Sequence, residues 1–226
     1  MGALFSTIIY KPILNLTVLL YGTVGFGDLG VAIIAMTVLV RAVLLPFSMK
    51  TAKSQKAMAA LAPEIEKIKA AHKGNTTAQS EAVMALYKER GVSPLAGCLP
   101  LLIQLPILIG VYRVFLKIFE PGSLDLLYSF IPHPQTISHV TLGVLDIIAA
   151  NPFLAILAGI TQFFQAKLAM TSQASTQQAA AVGQQMMYLL PVMIVVISWN
   201  LPAGLALYWV VTSLWSIGEQ LYLRRR

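Results

Sequence analysis

One arginine, Arg41, stands inside an otherwise apolar run, MTVLVRAVLLPFSMK, at residues 36–50. A guanidinium keeps its positive charge at physiological pH and offers five N–H donors, so its chemistry is the binding of an anion or of neutral acceptors. If this run is a helix that crosses a membrane, a rise of about 1.5 Å per residue puts Arg41 within the hydrocarbon. An arginine near the centre of a bilayer costs about 2.5–3.5 kcal/mol on insertion scales, so Arg41 must face protein or water.

The obvious partner for Arg41 would be a carboxylate at the same depth, and the sequence offers none. All nine acidic residues fall in predicted loops or near the ends of apolar runs, with Glu219 toward the end of the last run. A structural ion pair is therefore disfavoured. Three alternatives stay open, namely water, neutral polar side chains and an anion that arrives from another molecule.

Polar side chains at helical spacing accompany Arg41. Thr37 lies four residues before it and Ser48 seven residues after it, so the three share one helix face. The other apolar runs contain similar polar positions, among them Gln104, Gln162, Gln165, Trp209, Ser213, Ser216 and Gln220. Each of them, taken singly, is explained by hydrogen bonds between helices. Together with Arg41 they predict a hydrated groove into which an acidic segment of another polypeptide fits.

The sequence contains few residues that could form a catalytic or metal-binding site within the apolar runs. Cys98 is the only cysteine, and His72, His133 and His139 lie outside the apolar runs. No H-E-x-x-H motif occurs, so we expect no enzyme activity, no metal and no cofactor. The alternative function is a secondary transporter or channel for a small solute, but the runs contain no mid-membrane carboxylate for ion coupling and no inverted repeat.

The composition indicates which solvent the chain folds in. Hydrophobic residues make up 57% of the 226 residues and charged residues 11%, and the mean hydropathy is +0.74. The apolar runs have about the 17–25 residues that a helix needs to cross a bilayer. We therefore predict an all-α polytopic membrane protein with five transmembrane helices. They are residues 29–49, 95–119, 152–170, 185–201 and 202–223.

Residues 50–94 are the one sizeable polar segment between the predicted spans. Apolar residues recur at helical spacing on both sides of a turn at residues 72–75, which predicts a charged helical hairpin after the first span. Thr76 and Gln79 fit a capping box that opens the second helix of this hairpin.

The remaining connections have weaker patterns. For residues 1–28 we predict an N-terminal amphipathic helix on the outer surface, and we prefer it to a sixth span because Lys11-Pro12 and Asn15 interrupt the apolar run. Residues 120–151 predict an extracytoplasmic loop with short helices, residues 171–184 a cytoplasmic loop, and residues 224–226 a short basic tail.

Lysine and arginine residues are unevenly distributed, and this predicts the orientation. Most lie in residues 50–94 and at the C-terminus, whereas only Lys11, Arg113 and Lys117 lie on the opposite side. The positive-inside rule then places the C-terminus in the cytoplasm and the N-terminus outside. The net charge of +7 thus describes cytoplasmic segments, for which a ribosome or anionic lipid head groups are suitable partners.

Three stretches carry a resemblance to a known family. They are Thr37 to Arg41 followed by Pro46, SPLAGCLPLLIQLPILIGVYRVF at residues 93–115, and LPAGLALYWVVTSLWSIGEQ at residues 201–220. In this order they make the chain resemble the YidC/Oxa1/Alb3 membrane protein insertases over nearly its whole length. The resemblance implies a five-helix core with a cytoplasmic hairpin, and it makes Arg41 the groove arginine, with Thr37 and Trp209 beside it.

The resemblance also implies a function and partners. Family members insert nascent membrane proteins into the bilayer, alone or beside the Sec translocon, and receive ribosome-bound chains. The expected partners are therefore nascent membrane proteins with short acidic N-terminal tails, the ribosome, the Sec translocon, the signal-recognition-particle receptor and membrane lipids, in the bacterial inner membrane. The hairpin residues expected to contact the ribosome are Lys67, Lys69, Lys73, Lys88 and Arg90.

Overall fold

The structure is a computed structural model that describes residues 2–93, 99–170 and 177–224. It is mostly helical, as the sequence predicts. The helices are α1 (Ala3–Phe5), α2 (Lys11–Gly22), α3 (Leu29–Ala60), α4 (Ala62–Ala71), α5 (Thr76–Glu89), α6 (Leu99–Lys117), α7 (Pro152–Met170), α8 (Gln177–Ser198) and α9 (Ala203–Arg224). A π-helical segment, Ser6–Tyr10, joins α1 to α2.

Within the described residues, three helical stretches are long and apolar enough to cross a membrane. They are Ala3–Gly22, Leu29–Ala60 and Pro152–Ala169, and a shorter apolar helix covers Gln184–Ser198. These helices agree with a polytopic membrane protein, while the count of five spans stays a prediction.

The N-terminal helix runs through the positions predicted to interrupt it. Pro12 stands in the first turn of α2, directly after the π-helical segment Ser6–Tyr10, and the helix continues through it. Asn15 is buried and bonds both to the Lys11 carbonyl in its own helix and to the connection after α6. The predicted interruption is therefore wrong. The resulting helix is long enough to span, and its interfacial position stays a prediction.

Helix α3 carries Arg41 and extends well beyond the predicted span end at residue 49. Asp28 caps its N-terminus by accepting a hydrogen bond from the backbone N–H of Val31 at 3.1 Å. The helix continues through Pro46 to Ala60. The lysines after residue 49 favour water over lipid, but lysine forms helices about as readily as leucine does. The end of the apolar run is therefore not the end of the helix.

Helices α4 and α5 pack through a small apolar cluster in which Leu61, Ile65 and Leu86 are buried. Asn75, and not Thr76, is the N-cap of α5, because its side chain accepts the backbone N–H of Ala78 at 3.0 Å. Gln79 donates instead to backbone carbonyls at the end of α4, so the predicted capping box is wrong by one position.

The connection between α6 and α7 contains one short helix and two short strands. The 3₁₀ helix is Ser123–Leu126, and the strands β1 (Val140–Thr141) and β2 (Leu145–Asp146) form an antiparallel hairpin. These strands were not predicted. The hairpin is held on the first turn of α3, where Asp28 accepts hydrogen bonds from the Thr141 hydroxyl and the Leu142 N–H.

Helices α3 and α9 lie side by side and run in the same direction. Ser48 contacts Glu219, and further along both helices Lys56 donates to the Leu223 carbonyl at 2.9 Å. At the other end, the N–H of Ala203 donates to the carbonyl of Ala149 at 2.9 Å. The connection 120–151 therefore gathers at one end of the bundle, and the polar end of α3 meets the C-terminal end of α9 at the other.

Candidate functional site

Arg41 belongs to a hydrogen-bonded cluster contributed by three helices. Its Nη2 donates to Oε1 of Gln104 on α6 at 2.8 Å, and Nε2 of Gln104 donates to the hydroxyl of Tyr208 on α9 at 2.6 Å. Tyr208 is buried, whereas Arg41 and Gln104 are partly exposed. We call these three residues the Arg41 cluster. It fixes the guanidinium where α3, α6 and α9 meet.

The Arg41 guanidinium is held by a neutral acceptor. Among the residues that the structure describes, the ion pairs are Arg90 with Glu64, Lys117 with Glu120 and His139 with Asp146, and none includes Arg41. Gln104 takes one of the five N–H donors of the arginine. The positive charge therefore stays available for a further anion.

One carboxylate, that of Glu219, lies closer to Arg41 than the sequence suggests. Glu219 on α9 accepts a hydrogen bond from the hydroxyl of Ser48, two turns along α3 from Arg41. It attracts the Arg41 charge electrostatically without forming an ion pair with it. The parallel packing of α3 and α9 brings this residue from the end of the last apolar run to Ser48 on α3.

Of the polar residues predicted on α7 and α9, one pair forms a hydrogen bond between the two helices. The hydroxyl of Ser213 donates to Oε1 of Gln162 at 3.2 Å. In contrast, the side-chain oxygens of Gln165 and Gln220 and the indole N–H of Trp215 are buried with no hydrogen-bond partner among the described residues. Buried polar atoms of this kind require water or a polar ligand.

Other predicted site residues do not reach the Arg41 cluster by hydrogen bonds. Thr37 and Ser216 are buried, and their hydroxyls donate to carbonyls one turn earlier in their own helices, Ile33 and Thr212. Trp209 is partly buried and packs against apolar residues of the core. Their part in the site therefore stays a prediction.

Sequence reasoning missed Tyr208 and underestimated Glu219. Tyr208 was passed over in favour of its neighbour Trp209. Helical spacing contains the signal, because residues 208, 212 and 219 are separated by four and seven positions and share one face of α9. Tyrosine buries its ring readily but needs a partner for its hydroxyl, which Gln104 provides.

The basic residues proposed for ribosome contact lie on the hairpin of α4 and α5. Lys67, Lys73, Lys88 and Arg90 are exposed, and Lys69 is partly buried. Arg90 forms an ion pair with Glu64, in which Nη2 donates to both carboxylate oxygens at 3.0 and 2.8 Å. This pair links the end of α5 to the start of α4, so part of the charge of Arg90 is used within the hairpin.

In the part of the chain that the structure describes, no three His, Cys, Asp or Glu side chains come together as a metal site. The Arg41 cluster itself offers a permanent positive charge together with neutral donors and acceptors.

Comparison with known proteins places this arrangement in a family. The family model for the 60Kd inner membrane protein matches residues 19–226. The chain is 35% identical over 202 residues to the membrane protein insertase YidC of Fusobacterium nucleatum, covering 88% of each protein. It is 37% identical over 201 residues to the membrane protein insertase MisCA of Bacillus subtilis, covering 86% of this chain and 70% of that protein.

A solved structure gives the same result. The chain resembles the crystal structure of an active YidC insertase with its first transmembrane domain resolved, with a TM-score of 0.60 and 25% sequence identity. The match covers 96% of this chain and 46% of that one. The chain therefore belongs to the YidC/Oxa1/Alb3 family of membrane protein insertases.

Proposed function

We propose that this protein is a membrane protein insertase that receives nascent membrane proteins from the cytoplasm into a hydrophilic, lipid-open groove centred on Arg41. The polar tail of a substrate enters the groove, and its hydrophobic segment moves out between the helices into the bilayer. No covalent step is involved. The observation that carries the proposal is the Arg41 cluster, in which a membrane-depth arginine is fixed by Gln104 and Tyr208 but has no ion-pair partner among the described residues.

The physical benefit of such a groove is a shorter path through hydrocarbon. Each unsatisfied backbone polar group costs several kcal/mol in lipid, so a polar slot that reaches partway across lowers the cost of moving a tail. The unpartnered polar atoms of Gln165, Trp215 and Gln220 support water in the slot. The Arg41 charge then attracts acidic groups of the tail during its passage.

The orientation is part of the proposal. We assign α4, α5 and the C-terminal end of α9 to the cytoplasm, and the N-terminus and residues 120–151 to the outer side of a bacterial inner membrane. The contact between Lys56 and Leu223 supports this assignment, because it puts the basic ends of α3 and α9 on the same side. The groove then opens toward the side from which nascent chains arrive.

The proposed partners follow from the same orientation. Nascent membrane proteins with short acidic tails and the surrounding lipids act at the groove. The ribosome, the Sec translocon and the signal-recognition-particle receptor are partners for the cytoplasmic hairpin, through the exposed residues Lys67, Lys73, Lys88 and Arg90. These residues form a basic surface suited to nucleic acid or to an acidic protein.

The charge of Arg41 is tested by insertion of a single-span substrate with a short acidic tail into proteoliposomes, measured by protease protection of the tail. We expect Arg41→Ala to lower insertion at least tenfold and Arg41→Lys to retain most of it, because lysine keeps the charge. Arg113→Ala is the matched control, since Arg113 lies on α6 outside the cluster and contacts the ring of Phe5. Equal losses in Arg41→Lys and Arg41→Ala would contradict a role for the charge.

A further inference from the structure

Glu219 occupies a singular place among the acidic residues. Of the nine in the sequence, it alone lies within the described helices α3, α6, α7, α8 and α9. Glu219 is partly buried, and its carboxylate accepts a hydrogen bond from the hydroxyl of Ser48. A carboxylate on a helix inside an apolar bundle is costly to maintain, which makes a functional role worth testing.

Glu219 and Arg41 face the same slot at different depths. Ser48 lies seven residues after Arg41 on α3, so the hydroxyl that holds Glu219 is displaced from Arg41 by about 10 Å along the helix axis. This displacement points toward the end where Lys56 meets Leu223, the proposed cytoplasmic end. A segment that enters the groove from the cytoplasm therefore meets the negative charge first and the positive charge second.

Two opposite charges at this separation distinguish the order of charges in an entering chain. An extended peptide advances about 3.3 Å per residue, so groups about three residues apart match the spacing between Arg41 and the Ser48 hydroxyl. A tail that enters with its N-terminus first and carries an acidic residue ahead of a basic one pairs both groups with opposite charges. The reversed order places each group beside a like charge.

We propose that Glu219 is a specificity-determining residue that makes the groove sensitive to the order of charges in the entering tail, with an acidic group preferred about three residues ahead of a basic one. This inference rests on the function proposed above. Ser48 orients the carboxylate, and Arg41 provides the opposite pole. The ligand class is a short polypeptide tail with charges of both signs.

The test uses two substrates with the same length, composition and net charge. One carries Asp three residues before Lys in its N-terminal tail, and the other carries the same two residues exchanged. In reconstituted vesicles containing the full chain, we expect the first to be inserted about fivefold better by the wild type, the size of effect that partly screened charges produce over such distances. Insertion is measured by protease protection of the tail.

Three variants isolate the contribution of the carboxylate. Glu219→Gln keeps the hydrogen-bond acceptor for Ser48 and removes the charge, so we expect the preference to fall to the part that Arg41 alone produces, about twofold. Glu219→Asp keeps the negative charge, so we expect this variant to retain the wild-type preference. Glu120→Gln, which changes an exposed acid in the connection after α6, is the control and is expected to keep the wild-type preference.

The outcomes separate this inference from the proposed function. A smaller preference in Glu219→Gln than in the wild type, with the full preference kept in Glu219→Asp and Glu120→Gln, supports it. An equal preference in the wild type and Glu219→Gln, no preference in the wild type, or a preference for the reversed order would overturn it. If Arg41→Ala still inserts acidic-tailed substrates as well as the wild type, the groove function itself fails. If Arg41→Ala loses insertion but Glu219→Gln keeps the full wild-type preference, the groove function stands and the charge-order inference fails.

Discussion

The guanidinium of Arg41 donates to the side-chain carbonyl of Gln104 at 2.8 Å, across 63 residues of sequence. The choice of an amide as acceptor matters, because a carboxylate at this position would neutralise the arginine. Gln104 in turn donates to the Tyr208 hydroxyl, so its orientation is fixed from both sides. The arginine is thus positioned while its charge stays available.

Replacing this acceptor by an acid should disable the site and preserve the fold. Gln104→Glu places a carboxylate within reach of Arg41, and a charge-assisted pair is stronger than the present hydrogen bond. We expect insertion of acidic-tailed substrates to fall about as far as in Arg41→Ala, with an unchanged or higher melting temperature. The control is Gln104→Leu, which removes the acceptor without neutralising the charge and should retain more insertion. Wild-type insertion by Gln104→Glu would contradict the need for a free charge.

Asn15 joins the N-terminal helix to the connection after α6. Its amide donates to the Leu126 carbonyl at 3.2 Å and accepts the Tyr128 N–H at 2.6 Å, and the residue is 2% exposed. Asn15→Ala removes both of these hydrogen bonds, each of which contributes about 0.5–1.5 kcal/mol. We expect a lower melting temperature in detergent and faster proteolysis within residues 120–151.

The matched control for this prediction is Thr23→Ala. Thr23 is exposed, and its hydroxyl bonds only to the Leu19 carbonyl of its own helix. This variant should melt within a degree or two of the wild type, because exposed substitutions of this kind cost little. If Asn15→Ala and Thr23→Ala are equally stable, Asn15 does not hold the connection in place.

Asp28 gives the attachment of the β-hairpin a pH dependence. Burial alone would raise the pKa of Asp28, but hydrogen bonds from the Leu142 N–H, the Thr141 hydroxyl and the N–H groups of Val31 and Gly30 outweigh it and hold the pKa below the usual 3.8. A carboxyl with a lowered folded-state pKa stabilises the fold above its unfolded pKa. This stabilisation is lost as the pH falls through the folded-state value.

The corresponding measurement compares melting temperatures at neutral and acidic pH. Asp28→Asn should be less stable than the wild type at pH 7, and the difference should shrink as the pH falls below about 4. Thr23→Ala, which changes no ionisable group, is the control and should differ from the wild type by the same amount at both pH values. A difference between Asp28→Asn and the wild type that is the same at both pH values would show that the charge of Asp28 adds nothing.

The sequence singles out Arg41 and Gln104, but it does not show that they contact each other. Arg41 and Gln104 stand out because polar side chains in apolar runs are expensive and therefore informative. Their pairing depends on how α3 and α6 pack, and no periodicity within one helix contains that relationship. The same limit explains Glu219, whose neighbour Ser48 is 171 residues away and meets it only because α3 and α9 run parallel.

Local structure shows a similar division. Long apolar helices were predicted because their pattern repeats over many residues. Strands of two residues are too short to show alternation, so β1 and β2 were missed. Asn15 looked like an interruption because its partners lie in a connection more than 100 residues away. The N-cap of α5 was misplaced by one residue because asparagine and threonine both suit that position.

Water access to position 41 tests the central claim most directly. A cysteine is introduced as Arg41→Cys in a Cys98→Ser background, and inverted vesicles are treated with a membrane-impermeant maleimide. A second variant, Gln104→Cys in the same background, keeps Arg41 in place. We expect both cysteines to be labelled readily from the cytoplasmic face, as an open aqueous groove requires. Complete protection of both in a folded protein would mean a dry, packed site and would contradict the groove.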